Sequence, residues 1–176
     1  MRTKNVYVVP YDYRWKEEFR KIKLYLEESL ENSIIEIEHV GSTSVEGLYA
    51  KPIIDIDVVI KSYDDFQEVK SKLELLGYYH EGDLGIKDRE AFRYNEIEKA
   101  EFMTHHLYVC PQNSKELKRH IAFRDYLRVH REDRDKYSEI KLQAARENPT
   151  DIDRYIEAKS PLIAEIYEKI GWKIII

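Results

Sequence analysis

Between Tyr13 and Leu30 the apolar residues Phe19, Ile22, Leu26 and Leu30 follow one another at three- and four-residue intervals, with Glu and Lys between them. That spacing predicts an amphipathic helix. The period then changes: Ser33 to Val40 (SIIEIEHV) alternates and is β-branched, so it predicts a strand that stops at Gly41. A loop or short helix through Leu48 leads to a second strand from Pro52 to Ile60, and Tyr63 to Leu76 predicts a helix stopped by Gly77. Short strands are expected at Tyr78 to His80, Ala91 to Asn95 and Glu101 to Val109, separated by the turn-forming stretches GDLGIKD and NEIEK. From Asn113 to Ile170 the pattern is almost wholly helical, with breaks near Arg131 and at Asn148-Pro149-Thr150. An extended start over Val6 to Pro10 completes the order of elements.

No repeat or Pro/Gly/Ser linker interrupts this order, so residues 1–176 are expected to form a single domain. The fold class expected is α/β (α+β): a mixed sheet half over 1–112 followed by a helical half over 113–176.

Composition narrows the function. No run of 18 apolar residues exists, so no membrane span is expected. The opening residues lack the apolar core and cleavage site of a secretory signal, and Cys110 is the single cysteine, so a cytoplasmic protein without disulfides is expected. The net charge of −5 argues against general DNA binding, which needs a surplus of Lys and Arg. That charge is uneven, however. Lys115, Lys118, Arg119, Arg124, Arg128 and Arg131 stand against Glu116 and Asp125, which gives this segment a charge of +4. A basic segment in an acidic chain suits a small polyanion, or else is a solvated helix face.

The densest chemistry lies between His39 and Asp57. A strand running into Gly41-Ser42, with Ser44 close behind, can present backbone N–H groups and hydroxyls to phosphate oxygens. The stretch is not a Walker A loop, which needs Gly-Lys-Ser/Thr at fixed spacing. Asp55 and Asp57 lie two apart on an otherwise apolar strand, so both carboxylates leave the same face. Two like charges there call for a cation, and carboxylate oxygens suit Mg²⁺, which completes its shell with water and substrate phosphates. The alternative is that the aspartates pair with Lys or Arg; Lys51, between the two motifs, favours the phosphate reading. At 100° per residue, Leu117, Ile121, Arg124 and Arg128 share one stripe, with His120 and Leu127 beside it, and Tyr137, Ile140, Lys141 and Ala144 share another. Arg124 and Lys141 therefore point inward, either to a phosphate or to internal salt bridges, the latter favoured for Lys141 and Lys159.

Gly-Ser followed by acid-x-acid on the next strand resembles the nucleotidyltransferase superfamily. More closely, the chain resembles the GrpB-like family through Val9-Pro10-Tyr11-Asp12, Trp15, IEHVGSTSVEGLYAKPIIDIDV, Gly77-Tyr78, HHLYV, FRDYLR, Tyr137, Lys141 and Tyr155 to Lys159. The resemblance implies a nucleotidyltransferase-type core with Asp55 and Asp57 on Mg²⁺ (or Mn²⁺). It implies a nucleoside triphosphate, ATP first, held by Gly41, Ser42, Ser44, Lys51, Arg124, Tyr137 and Lys141, and transfer of a nucleotidyl group to an unidentified acceptor. Relatives fused to dephospho-coenzyme A kinase imply a link to coenzyme A metabolism. The superfamily's third carboxylate is missing from the strand Phe102 to Val109. His106 stands on the relevant face with Thr104 and Tyr108, as a metal ligand, a general base or a core residue, while His105 faces the opposite way. Loss of the third acid leaves open a non-catalytic nucleotide- or coenzyme-binding module. The apolar ending Gly171 to Ile176 is expected to pack on the core, or else to serve an adaptor role or self-association.

Overall fold

The computed structural model describes residues 5–172. Five strands form one mixed sheet: β1 (Glu36–Val40), β2 (Ile54–Ile60), β3 (Tyr78–Gly82), β4 (Glu90–Tyr94) and β5 (His105–Pro111), in the spatial order β1-β2-β5-β4-β3. The central pair, β2 and β5, is parallel; every other neighbouring pair is antiparallel. Alternation along β2 makes the sheet two-sided. Ile54, Ile56, Val58 and Ile60 enter the main core with Leu107 and Val109 of β5, and Asp55, Asp57 and Val59 leave by the other face.

The core face is covered by α1 (Arg14–Leu30) and α2 (Phe66–Leu75). Trp15, Ile22, Leu26 and Leu30 of α1 are buried, as the three- and four-residue period requires. The helical half supplies α3 (Lys115–Val129), α4 (Arg131–Glu147) and α5 (Ile152–Ile170). Local chemistry sets their ends. Ser114 Oγ accepts from Leu117 N–H at the start of α3, Asp151 does the same for Arg154 N–H at the start of α5, and Gly171 at φ +88° ends α5. The other α3 boundary, at His130, and the 148–151 turn fall at the two breaks read from the sequence. The extended start is tied down by a bridge between Val9 and Ala50 and by Val6 N–H donating to the Pro149 carbonyl at 2.8 Å.

Element boundaries differ from expectation where local backbone preferences yield to the sheet. Glu31–Ser33 forms a 3₁₀ turn, so β1 begins at Glu36 rather than Ser33. Pro52 cannot donate to a ladder, and β2 begins at Ile54. Tyr63–Asp65 forms another 3₁₀ turn before α2. An irregular register between His80 and Gly82 lets β3 run to Gly82, and β5 begins at His105, not Glu101. Among the described residues no helix is long and apolar enough to cross a membrane. Of the apolar ending, residues 173–176 lie outside the described residues.

Candidate active site

Strand register assembles the site on the sheet face opposite the main core. In β2, Asp55 is paired with Val40 of β1 and His106 of β5, and Asp57 with Glu38 of β1 and Tyr108 of β5. Directly paired residues emerge on the same face, so two rungs, Val40-Asp55-His106 and Glu38-Asp57-Tyr108, lie side by side.

Each aspartate meets a histidine. His106 Nδ1 donates to Asp55 Oδ1 at 2.8 Å, and His120 Nδ1, from α3, donates to the fully buried Asp57 at Oδ2, 2.7 Å away. Glu116, one turn earlier on α3, lies 3.4 Å from His120 Nε2. Burial works against charging His120, but the two carboxylates outweigh it and push its pKa up to about 9. Burial shifts the Asp57 pKa upward, whereas at Asp55 the opposing effect of burial is overcome by the His106 hydrogen bond and the pKa is lowered. The expected alternative partners, Lys or Arg, are thus replaced by imidazoles.

Gly41 follows β1 at φ +70°, and a Cβ there would stand 2.9 Å from Cγ of Asp55 and closer still to Oδ2. Glycine is required for the backbone to pass the carboxylate. A 3₁₀ turn over Ser42–Ser44 follows. Thr43 Oγ donates to the Ile53 carbonyl and lies 3.0 Å from His39 Nε2; Ser44 Oγ donates to the Gly41 carbonyl at 2.5 Å. The Ser44 hydroxyl therefore closes the turn instead of being offered to a ligand. Ser42 alone of the three points its hydroxyl toward the helical half, where it accepts from Lys141 Nζ at 2.6 Å.

Asp55 forms a shared wall between two cavities. One, of about 160 Å³, is lined by Ser42, Lys51, Ile53, Asp55, His106, Lys141, Tyr155 and Lys159. The other, of about 220 Å³, is lined by Val40, Gly41, Asp55, Arg89, Tyr108 and His120. In the first, Lys141 is buried, Lys51 and Lys159 are half-buried, and the ammonium groups of Lys51 and Lys159 face the Tyr155 ring at 5.7 and 4.7 Å. None of these lysines has a carboxylate within ion-pair distance among the described residues, so the internal salt bridges expected for Lys141 and Lys159 do not form. Burial lowers the pKa of all three: Lys141 falls well below the ordinary value, with Lys159 adding repulsion, and Lys159 falls to about 8.

Two expected ligand residues have other work. Arg124 donates from Nη1 to Glu38 Oε2 at 2.6 Å and to the His39 carbonyl at 3.0 Å, and from Nε to Asp125 Oδ1 at 2.8 Å. It fastens α3 to β1 and lines neither cavity. Tyr137 is buried in an apolar cluster with Val45, Leu48, Leu127, Leu162 and Ile166, and its ring backs Lys141 at 4.7 Å. Tyr155 holds the place at the cavity wall that was expected of Tyr137. His105 belongs to the core: its Nδ1 donates to the Met103 carbonyl at 2.8 Å, its Nε2 accepts from Tyr78 hydroxyl at 2.8 Å, and burial lowers its pKa to about 4. The residues to which the sequence reading gave no role in the site are His120, Glu116, Tyr155 and Arg89, while Lys159, expected in a salt bridge, lines the lysine cavity instead. The spacing Glu116, His120, Arg124 on one helical face is a signal that would have found the first two.

Asp57 Oδ1 is buried with no hydrogen-bond partner. Among the described residues no three His, Cys, Asp or Glu side chains gather as a closed metal cage. An orphaned carboxylate oxygen beside Asp55 fits magnesium, which needs only one or two protein carboxylates and takes its other ligands from water and phosphates.

Comparison with known proteins gives the family and the fold. The chain is 32% identical to UPF0157 protein YqkA of Bacillus subtilis over 97% of its own length, and it spans about half of that relative, 49%. It is 25% identical to a Mycobacterium bovis protein named dephospho-CoA kinase, over 94% of this chain and 46% of that one. The crystal structure of conserved protein GrpB from Enterococcus faecalis superposes with a TM-score of 0.75 at 30% identity, covering 92% of this chain and 99% of that one. The Cid1 poly(U) polymerase bound to MgATP superposes at a TM-score of 0.55 and 12% identity, covering 78% of this chain and 44% of that one, a likeness of fold. A nucleotidyltransferase-like fold is common to both. The model of the GrpB protein family matches residues 5–169, and the chain belongs to that family.

Proposed function

We propose that the lysine-lined cavity binds the phosphates of a magnesium nucleoside triphosphate, ATP first, and that the chain transfers a nucleotidyl group to a hydroxyl or amine. The observation that carries this reading is the imbalance of charge in the cavity: Lys51, Lys141 and Lys159 converge on it with Asp55 as the one acidic residue in its lining. Buried amines without counterions are costly, and a polyphosphate removes that cost. Ser42 Oγ, already fixed by Lys141, adds a hydrogen-bonding group, and the Tyr155 ring forms an apolar wall.

Asp55 and Asp57 are the residues that would hold magnesium, which supplies charge neutralisation at the phosphates when bound. Asp55 is also the group placed to receive the acceptor's proton, since Oδ1 is engaged by His106 and Oδ2 lies beside Gly41 in the second cavity. In the transfer, the acceptor's oxygen or nitrogen bonds to the α-phosphorus as the bond to the bridging oxygen breaks. Pyrophosphate leaves among the lysines. The triphosphate seen on Cid1 supports the reading only as a property of that protein.

A second reading is favoured by His106, which stands in register with Asp55 where the superfamily pattern calls for a third carboxylate. There the pocket holds a nucleotide or coenzyme without turnover. Incubation with ATP labelled in its α-phosphate and Mg²⁺ separates the two. Labelled product formed by the wild type and lost in Asp55→Asn supports transfer, whereas saturable binding without release of pyrophosphate supports the binding module.

A further inference from the structure

The second cavity lies across Asp55 from the lysines and has a different chemistry. Arg89 enters it from the turn that precedes β4, following Asp88 at φ +60°. Its guanidinium lies 4.4 Å over the Tyr108 ring, and its Nε is buried without a hydrogen-bond partner. No ion-pair partner of Arg89 occurs among the described residues. Ring stacking fixes the plane of a guanidinium while leaving its N–H edge to be satisfied by something else. His120 also lines it, with its two nitrogens facing Asp57 and Glu116, so the free cationic donors in this lining belong to Arg89, beside the Tyr108 hydroxyl. The floor is Gly41 and Asp55 Oδ2, the oxygen that His106 does not engage.

We propose that this cavity receives the acceptor, a small molecule bearing a carboxylate or phosphate group that Arg89 holds in a two-point hydrogen bond while the acceptor's hydroxyl or amine meets Asp55. A volume of about 220 Å³ suits a compact metabolite. A guanidinium fork matches two oxygens of a carboxylate or phosphate, and an orphaned Nε–H turned to such a ligand regains the hydrogen bond it lacks. The inference rests on the nucleotidyl-transfer reading, in which the two cavities are donor and acceptor sites meeting at one carboxylate.

The test uses the full chain labelled with ¹⁵N at arginine, with tripolyphosphate filling the lysine cavity and inorganic phosphate or acetate added as the acceptor probe. Phosphate, acetate or both are expected to shift the Arg89 Nε–H resonance, assigned by its loss in Arg89→Lys. Response to phosphate alone identifies a phosphorylated acceptor, and response to acetate alone a carboxylated one. Arg89→Gln is expected to weaken probe binding by about tenfold or more while tripolyphosphate affinity is unchanged. An Arg89 resonance unmoved by either probe, in a protein that does bind tripolyphosphate, overturns the acceptor site and leaves the donor site standing. Failure of tripolyphosphate to bind overturns the donor reading instead, and the wild-type resonance decides the Arg89 site even where Arg89→Gln does not fold.

Discussion

Gly41 and Asp55 occupy space that a single methyl group would close: a Cβ on Gly41 falls 2.9 Å from Cγ of Asp55. Gly41→Ala therefore adds a backbone cost at φ +70° to a collision with the carboxylate shared by both cavities. The expected loss is about 1–3 kcal/mol of stability, read from chemical denaturation. Displacement of Asp55 should abolish any Mg²⁺-dependent nucleotide binding measured on the folded variant. A Gly41→Ala protein with wild-type stability and binding would show that Asp55 has another place to go.

Asp57 and His120 make a buried pair in which the partner of one charge is the other. Removing only the imidazole, in His120→Ala, leaves a carboxylate fully buried with both oxygens unpartnered. Breaking such a pair costs about 3–5 kcal/mol, so His120→Ala should be among the most destabilising substitutions in α3. The double variant Asp57→Asn with His120→Ala should recover part of that loss. Equal stability of the single and double variants would contradict the pairing.

Lys141 is a buried amine with no carboxylate within ion-pair distance among the described residues, a cost that the proposed polyphosphate would offset. Lys141→Met keeps the length of the side chain and its packing against Tyr137, and it removes a desolvated amine. Thermal unfolding should move upward by a few degrees, about 1 kcal/mol, while polyphosphate binding weakens. Arg124 should behave in the opposite way: Arg124→Met breaks its bonds to Glu38 and the His39 carbonyl and lowers stability by about 2 kcal/mol, with the polyphosphate affinity of the folded protein little changed. Parallel melting and titration of the two variants distinguishes a ligand-binding cation from a structural one.

Lys159 sets a pH dependence. Its pKa in the folded chain, about 8, lies below the ordinary lysine value of 10.5 because it is buried and faces Lys51. Below pH 8 the ammonium is present and favours an anion, and as pH rises through about 8 the charge is lost, so polyphosphate affinity should fall. Stability runs the other way. Between pH 8 and 10.5 the unfolded chain binds the extra proton, and this group's contribution rises with pH. Near pH 8, binding should also take up protons, seen as calorimetric heats that depend on the buffer's ionisation enthalpy. Heats independent of buffer would contradict proton uptake by the lysine cluster.

Periodicity made the sheet face legible. Alternation in Ile54 to Ile60 was enough to place Asp55 and Asp57 together and away from the core, and Gly41-Ser42 marked the turn beside them. The walls facing those acids were harder to read because they come from distant elements. Tyr155 and Lys159 arrive from α5, Arg89 from a turn before β4, and His106 stands beside Asp55 only because β5 pairs in parallel with β2. Helical spacing showed that Arg124 and Tyr137 point inward. It did not show what each would meet: of the two alternatives open for Arg124, a phosphate or an internal salt bridge, the chain takes the salt bridge, to Glu38, and an apolar cluster surrounds Tyr137 where a nucleotide was expected.

The most direct measurement is a calorimetric titration of the wild type and of Lys51→Gln with Lys159→Gln, using ATP and Mg²⁺ near neutral pH. Saturable one-to-one binding is expected of the wild type, with an affinity at least about tenfold weaker in the double variant, since each lysine contributes a charge-assisted contact. No heat in the wild type at millimolar ATP, or equal affinity in the two proteins, would contradict the proposed binding.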